Sequence, residues 1–197
     1  MSVDVINDLG HETERLVLRR WKDSDRKPFA QMNANPKVME YFSRLRTLEE
    51  SENMIELCNS RIEEHGFSFW AVERKDSNQF IGFVGLSRYT ADLPFCPCVE
   101  IGWRLSHQHW GHGFATEAAI KCLEVGFKQL ALPEIVSFTP LLNQRSRNVM
   151  LKIGMTDCEK NFLHPSETAK SGLQVHCMYK INKKQWAEHS RSLRPSL

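Results

Sequence analysis

The chain of 197 residues is long enough for one domain with a full-sized core. Its 41% hydrophobic and 25% charged residues are ordinary for a globular protein, and a formal net charge of +2 makes no electrostatic case for a nucleic-acid partner. No run approaches the ~20 apolar residues of a membrane span, so no membrane association is expected.

Residues 1–12 are polar and unpatterned and read as a flexible leader; Asp4, Asp8, Glu12 and Glu14 stand there without the apolar core of a secretory signal. Residues 13–189 are read as one domain and 190–197 as a disordered tail. The six cysteines at 58, 96, 98, 122, 158 and 177 are scattered, which reads as reduced, mostly buried thiols in a cytoplasmic protein.

Residues 13–21 alternate as a β-strand does, with Leu16 and Leu18 on one face. Asp23, Ser24 and Asp25 then offer caps for a short helix that ends before Asn35 and Pro36, and a second helical piece is expected around 38–41. Thr47 and Glu50 form a capping box, opening a helix that carries Leu48, Ile55, Cys58 and Ile62 and stops at Gly66. Residues 67–74 and 80–89 read as a hairpin around the polar turn 75–78, and two prolines make 92–97 a loop. Residues 99–105 form the next strand.

A loop with two glycines follows, and it opens directly into the most legible helix of the chain, residues 114–130. Ala115, Ala119, Leu123, Phe127 and Leu130 make its apolar stripe; Glu117, Lys121, Glu124 and Lys128 make a charged face spaced for ion pairs. A strand, a glycine turn and a helix N-terminus together suit phosphate oxygens. Backbone N–H groups point outward, the helix dipole adds positive charge, and glycine lets a ligand approach the backbone closely. Beyond it, 135–139 is a short buried strand, Asn143 caps a helix that runs to Ile153 and Gly154, and strands are expected at 155–162 and 173–181. A last helical turn at 183–189 completes a mixed α/β sheet without internal repeats.

Three blocks of this sequence resemble the GCN5-related N-acetyltransferases (GNAT), and in particular the ribosomal-protein N-terminal acetyltransferase branch. They are Glu12-Thr13-Glu14-Arg15-Leu16-Val17-Leu18-Arg19; Glu100-Ile101-Gly102-Trp103-Arg104-Leu105 with Trp110-Gly111-His112-Gly113-Phe114-Ala115-Thr116-Glu117-Ala118; and Asn143-Gln144-Arg145-Ser146 with Lys152-Ile153-Gly154-Met155. The resemblance implies a single α/β (α+β) domain whose mixed, mostly antiparallel sheet of about seven strands is splayed at its centre and flanked by helices. It also implies direct transfer of the acetyl group of acetyl-CoA, as cosubstrate and without a metal, to a primary amine. The acceptor is expected to be a protein N-terminal α-amine or a small-molecule amine. A polyamine, antibiotic or amino-acid detoxifying enzyme and a non-catalytic acyl-CoA-binding module are the alternatives.

The family's phosphate motif, Gln/Arg-x-x-Gly-x-Gly/Ala, fits Gln108-x-x-Gly111-x-Gly113 literally. Trp110-x-x-Gly113-x-Ala115 is preferred, because Thr116, Glu117 and Ala118 then fall in the first helical turn. Trp110, Gly111, His112, Gly113, Phe114, Ala115 and Thr116 are thus the expected pyrophosphate site, with the backbone of Trp103, Arg104 and Leu105 along the pantetheine arm and Asn143 at its amides. Glu100 is the first candidate for proton acceptor, with a half-exposed strand glutamate in an ion pair as the plain reading; His107 and His109 are the chemical alternatives. Ser146 matches the position whose hydroxyl protonates the leaving thiolate and also serves as first-turn helix chemistry. Tyr41, Phe42, Trp70 and Trp103 are candidates for the acceptor entrance, although an aromatic strand residue such as either tryptophan is more often core. Cys96-x-Cys98 with His107-x-His109-x-x-His112 has zinc-type ligands, but one residue between the cysteines is too few for the usual site. Both monomer and homodimer are compatible with the sequence.

Overall fold

Alternation of side chains across a pleated strand decides how this sheet is buried. The computed structural model describes residues 11–90, 93, 95–165 and 172–192. Eight strands form one sheet in the order β1-β2-β3-β4-β5-β6-β8-β7. They are β1 (His11–Glu12), β2 (Leu16–Arg19), β3 (Phe69–Arg74), β4 (Phe80–Tyr89), β5 (Cys98–Leu105), β6 (Glu134–Pro140), β7 (Thr156–Leu163) and β8 (Val175–Asn182). Every neighbour pair is antiparallel except β5 and β6, which run parallel.

The helices are α1 (Arg26–Asn33), α2 (Leu48–His65), α3 (Phe114–Glu124), α4 (Gln144–Lys152) and α5 (Lys183–Ser192). On one face of the sheet, Leu16, Leu18, Trp70, Val72, Val84, Leu86, Ile101 and Leu105 pack with Ala118, Ala119, Cys122 and Leu123 of α3. On the other, Ala71 and Phe83 pack with Phe29 and Met32 of α1 and Ile55 and Cys58 of α2. The capping box at α2 forms as the sequence predicts: Glu50 N donates to Thr47 Oγ1 at 3.1 Å, and Thr47 N to Glu50 Oε2 at 2.9 Å. Gly66 ends the helix in the left-handed region.

Several local expectations are corrected. The sheet has eight strands rather than about seven, because His11 and Glu12, assigned to the leader, pair with Leu18 and Val17. Residues 38–41 form turns and not helix. Leu48 is the first residue of α2 and points outward, 55% exposed, while Ile55, Cys58 and Ile62 are buried as expected. The helical turn at 183–189 is a ten-residue helix reaching Ser192, so it extends into the residues assigned to the tail. Asp92 and Pro94 of the expected loop 92–97 lie outside the described residues, as do 1–10 and 193–197. No helix among the described residues is long and apolar enough to cross a membrane.

The helix expected to run from 114 to 130 keeps its extent but changes its winding, since Val125–Gln129 is a π-turn. Gly126 lies in it, and a Cβ built there would stand 2.7 Å from Ile135 Cδ1 and 3.1 Å from Leu86 Cδ1. Helix and sheet meet backbone to side chain at this point. Gly126→Ala is expected to destabilise the fold by about 1–3 kcal/mol through overpacking, read as a lower Tm.

Candidate active site

The site begins where the sheet opens. β5 and β6 share one register pair among the described residues, Glu100 opposite Val136. Beside it Ser137 Oγ donates to Ile101 O at 2.9 Å, so the backbone of Ile101 faces β6. Strand alternation turns the backbone groups of Trp103 and Leu105 the same way. The carbonyl of Leu105 is taken by Trp110 Nε1 at 2.8 Å. The amide and carbonyl of Trp103 thereby face the gap that widens as β5 runs toward α3 and β6 toward α4.

At the wide end, Gly111 and Gly113 have φ of 80° and 81°, a conformation that L side chains rarely adopt. Gly113 caps α3, whose first internal bond is Glu117 N to Gly113 O at 3.0 Å. The N–H groups of Phe114, Ala115 and Thr116 therefore have no helical partner. A Cβ placed on Gly111 would meet no atom within 4 Å, so the outer side of the turn has room for a ligand. Open amides, a dipole end and free space fit the pyrophosphate of an acyl-CoA. The helix start at Phe114 agrees with the register that places Thr116 and Glu117 in the first turn.

Glu117 does something its helix-face spacing hides. Its Oε1 accepts from Thr13 Oγ1 at 2.5 Å and Arg15 N at 2.9 Å, and its Oε2 from Arg15 Nε at 2.7 Å. The first and second sequence blocks are thus bonded to each other. Lys121 and Lys128 pair with Glu124 instead. Arg15 also lies 4.5 Å from the centre of the Phe114 ring, and with Arg74, Lys75 and His112 it lines a cavity of about 350 Å³ at this helix end.

Glu100 stands at the narrow end of the gap. It has no hydrogen-bond or ion-pair partner among the described residues, and burial pushes its carboxyl up to about 8. Glu100 is half-exposed, as the plain reading has it, but the ion pair of that reading does not form among the described residues. On the same face of β5 and its neighbours lie Tyr89 of β4 and Phe138 of β6, whose rings are 5.2 Å apart. Tyr89 Oη is 3.1 Å from His164 Nε2. Sequence reading missed this aromatic and histidine group, because three separate strands and their ends contribute to it.

His107 and His109 lie beyond the end of β5 in a 3-10 turn, on the order of 20 Å from Glu100 at strand rise. His109 is buried beside Phe114, and burial, then Arg74 and His112, lowers its pKa. Cys96 and Cys98 flank the opposite end of the strand, and no metal-binding group of three or more ligands occurs among the described residues.

Asn143 Oδ1 accepts from Ser146 N at 3.2 Å, and its Nδ2 donates to Thr139 Oγ1 at 3.0 Å, so its side chain serves the cap of α4 first. The Ser146 hydroxyl has no protein partner among the described residues. Trp70 is a correction. It is 3% exposed, stacks edge-on against His11 and lies with Val84 and Trp103 on the α3 face of the sheet, away from the entrance. Trp103 is partly buried on that same face, so its backbone and not its ring addresses the gap from within the strand. Tyr41 and Phe42 lie against arginines of α4 and β5. Arg145 of α4 stacks 5.3 Å from the Tyr41 ring and 4.7 Å from that of Trp110, and it pairs with Glu40. Phe42 covers the guanidinium of Arg104 at 4.2 Å.

A sheet opened between two parallel strands, with a glycine-capped helix at its mouth, defines an acyl-CoA-dependent acyltransferase fold. The family model of the acetyltransferase (GNAT) domain matches residues 15–156, and the chain belongs to that family. It is an N-acetyltransferase that uses acetyl-CoA. It is 30% identical over 73% of its length to the uncharacterized N-acetyltransferase YoaA of Bacillus subtilis, covering 80% of that protein. It is 28% identical over 96% of its length to FsC-acetyl coenzyme A-N(2)-transacetylase of Aspergillus fumigatus, covering 76% of that protein. Its fold is similar to spermidine N-acetyltransferase from Vibrio cholerae in complex with CoA and spermine, with TM-score 0.70, 20% identity, and coverage of 89% of this chain and 99% of that one.

Proposed function

We propose that the enzyme acetylates an unprotonated primary amine, a protein N-terminal α-amine or a small-molecule amine, directly from acetyl-CoA in the gap between β5 and β6. The observation that carries this reading is the unpaired Glu100 carboxyl at the narrow end of the opened sheet. A carboxyl held at about 8 in an apolar setting is stabilised as a carboxylate when an ammonium group arrives, and it is then placed to take that group's proton.

In the proposed arrangement, the amides of residues 111–116 hold the pyrophosphate and the β5 edge pairs with the pantetheine arm. The amide of Trp103 faces the thioester oxygen as negative charge develops there. The amine nitrogen bonds to the carbonyl carbon as the carbon–sulfur bond breaks. Glu100 receives the amine proton, and the Ser146 hydroxyl supplies a proton to the departing thiolate. Tyr41 and Phe42 flank the entry of the acceptor.

About a tenth of an α-amine is already neutral at pH 7, against roughly one in 2,500 for a lysine side chain, so an α-amine asks less of the base. The relatives include proteins named for N(2)-transacetylation and for spermidine, which supports small amines equally. A panel of peptides with free N-termini, N-blocked lysine peptides, polyamines and amino acids, read by mass spectrometry, decides the class. Acetylation confined to lysine side chains would overturn the reading. Ser146→Ala is expected to lower kcat about tenfold or more with the acetyl-CoA KM nearly unchanged, and full activity would leave Ser146 a helix-cap residue.

A further inference from the structure

Most arginines of this chain face a carboxylate. Arg15 pairs with Glu117, Arg19 with Asp25 and Glu73, Arg26 with Glu56, Arg44 with Glu50, Arg74 with Asp76, and Arg145 with Glu40. Arg104, half-buried, has no such partner among the described residues. Its Nε is buried without an acceptor, and its only hydrogen bond among the described residues runs from one terminal nitrogen to Asn33 Oδ1 at 2.7 Å. The nearest charge acting on it is Arg46, of like sign, and burial together with Arg46 lowers its pKa to about 9. It remains a cation at neutral pH.

The surroundings hold this cation in place and do not neutralise it. Asn33 is buried, and its Nδ2 donates to Ser51 Oγ at 3.0 Å, which in turn donates to Thr47 O at 2.8 Å. That chain fixes the Asn33 oxygen toward Arg104. Phe42, 36% exposed, covers the guanidinium, and Phe83 lies 5.4 Å beneath. Removing one charge from water without a partner is costly, and a preformed polar cradle that lacks an anion is matched to one supplied from outside.

Position tells which molecule supplies it. Glu100, Gly102 and Arg104 share the β5 face that looks toward α1 and α2, while α3 and its amide cradle lie behind the sheet. Gly102 lies between them on the strand, and the Phe69 ring stands over it, with Cε1 3.1 Å from where a Cβ would be. The carboxyl of Glu100 and the guanidinium of Arg104 thus stand on the same face on either side of the Phe69 ring, their Cα atoms about 13 Å apart at strand rise. We infer that Arg104, steadied by Asn33 and covered by Phe42, binds an anionic group of the acceptor, so that the amine acetylated here belongs to a molecule that also carries a carboxylate or phosphate. The inference rests on the transfer reading above and narrows its substrate class.

The test compares ω-amino carboxylates of graded length with the corresponding neutral amino amides, using wild type, Arg104→Gln and the exposed-site variant Arg46→Gln. Wild type is expected to favour the carboxylates by about 10- to 100-fold in kcat/KM, the range of a hydrogen bond to a charged group. Arg104→Gln is expected to abolish that preference with the acetyl-CoA KM unchanged, and Arg46→Gln to reduce it. The wild-type comparison stands even if Arg104→Gln fails to fold. Equal use of carboxylates and amides by wild type would overturn the inference. So would a preserved preference in Arg104→Gln with a raised acetyl-CoA KM, which would give the guanidinium to the cofactor phosphates. Failure of every amine, carboxylate or amide, to release thiol from acetyl-CoA would instead overturn the transfer reading itself.

Discussion

Glu100→Gln is expected to lower kcat/KM by about 10²- to 10⁴-fold, the usual contribution of a positioned general base. The loss should be greatest near and above pH 8, where the wild-type carboxyl is ionised and can accept a proton, and should shrink at lower pH, where Glu100 is itself protonated. The same substitution changes stability in a direction that follows from burial. The Glu100 carboxyl is raised from 4.5 to about 8 in the folded chain. Below about pH 4.5 it is protonated in folded and unfolded chains alike, and its contribution is fully present. As pH rises from there to about 8 the unfolded chain ionises first, and stability is lost, on the order of a few kcal/mol. Glu100→Gln should flatten this slope and be relatively more stable at pH 8 than at pH 5. Denaturant titrations at those two values check the burial, and pH–rate profiles check the base. A variant with wild-type kcat/KM across the profile would remove Glu100 from the chemistry.

Gly113→Val is expected to weaken acetyl-CoA binding at least about tenfold and to lower Tm. The backbone at Gly113 has φ of 81°, and the nearest atom to a Cβ there is an Arg15 guanidinium nitrogen at an ordinary 3.5 Å. The penalty thus comes from left-handed strain, about 1–3 kcal/mol for a β-branched residue, and not from a clash. Relief of that strain rotates the amides of 113–115 away from a common focus, which is what a phosphate site requires. Because the folding cost alone lowers Tm, calorimetry of CoA binding to the folded fraction is the deciding measurement. Unchanged affinity there would move the pyrophosphate elsewhere.

Much of this was legible in the sequence, for reasons that differ by element. The α2 cap could be read because Thr47 and Glu50 act within one turn, and the hairpin because β3 and β4 are joined by the five polar residues 75–79. The glycine loop was legible as a motif because its function resides in backbone, which the positive φ of Gly111 and Gly113 reports. Trp70 stood between core and entrance because an aromatic strand residue faces either side of a sheet, and pairing with Val84 fixes it as core. Glu117 was assigned to helix-face ion pairs because its bonds to Thr13 and Arg15 span more than 100 residues of chain. Arg104 was read for its backbone alone. That its side chain lacks an anion is a property of α1, the 34–47 segment and β4 together, and no local pattern encodes it.

Free thiol released from acetyl-CoA, measured with and without an amine panel and paired with mass analysis of both protein and amine, tests the central claim most directly. The expected result is thiol in equal amount to acetylated amine, no thiol without amine, and no acetyl group left on the protein. Protection of the protein from heat by acetyl-CoA, with no thiol released to any amine, would contradict it and leave a binding module.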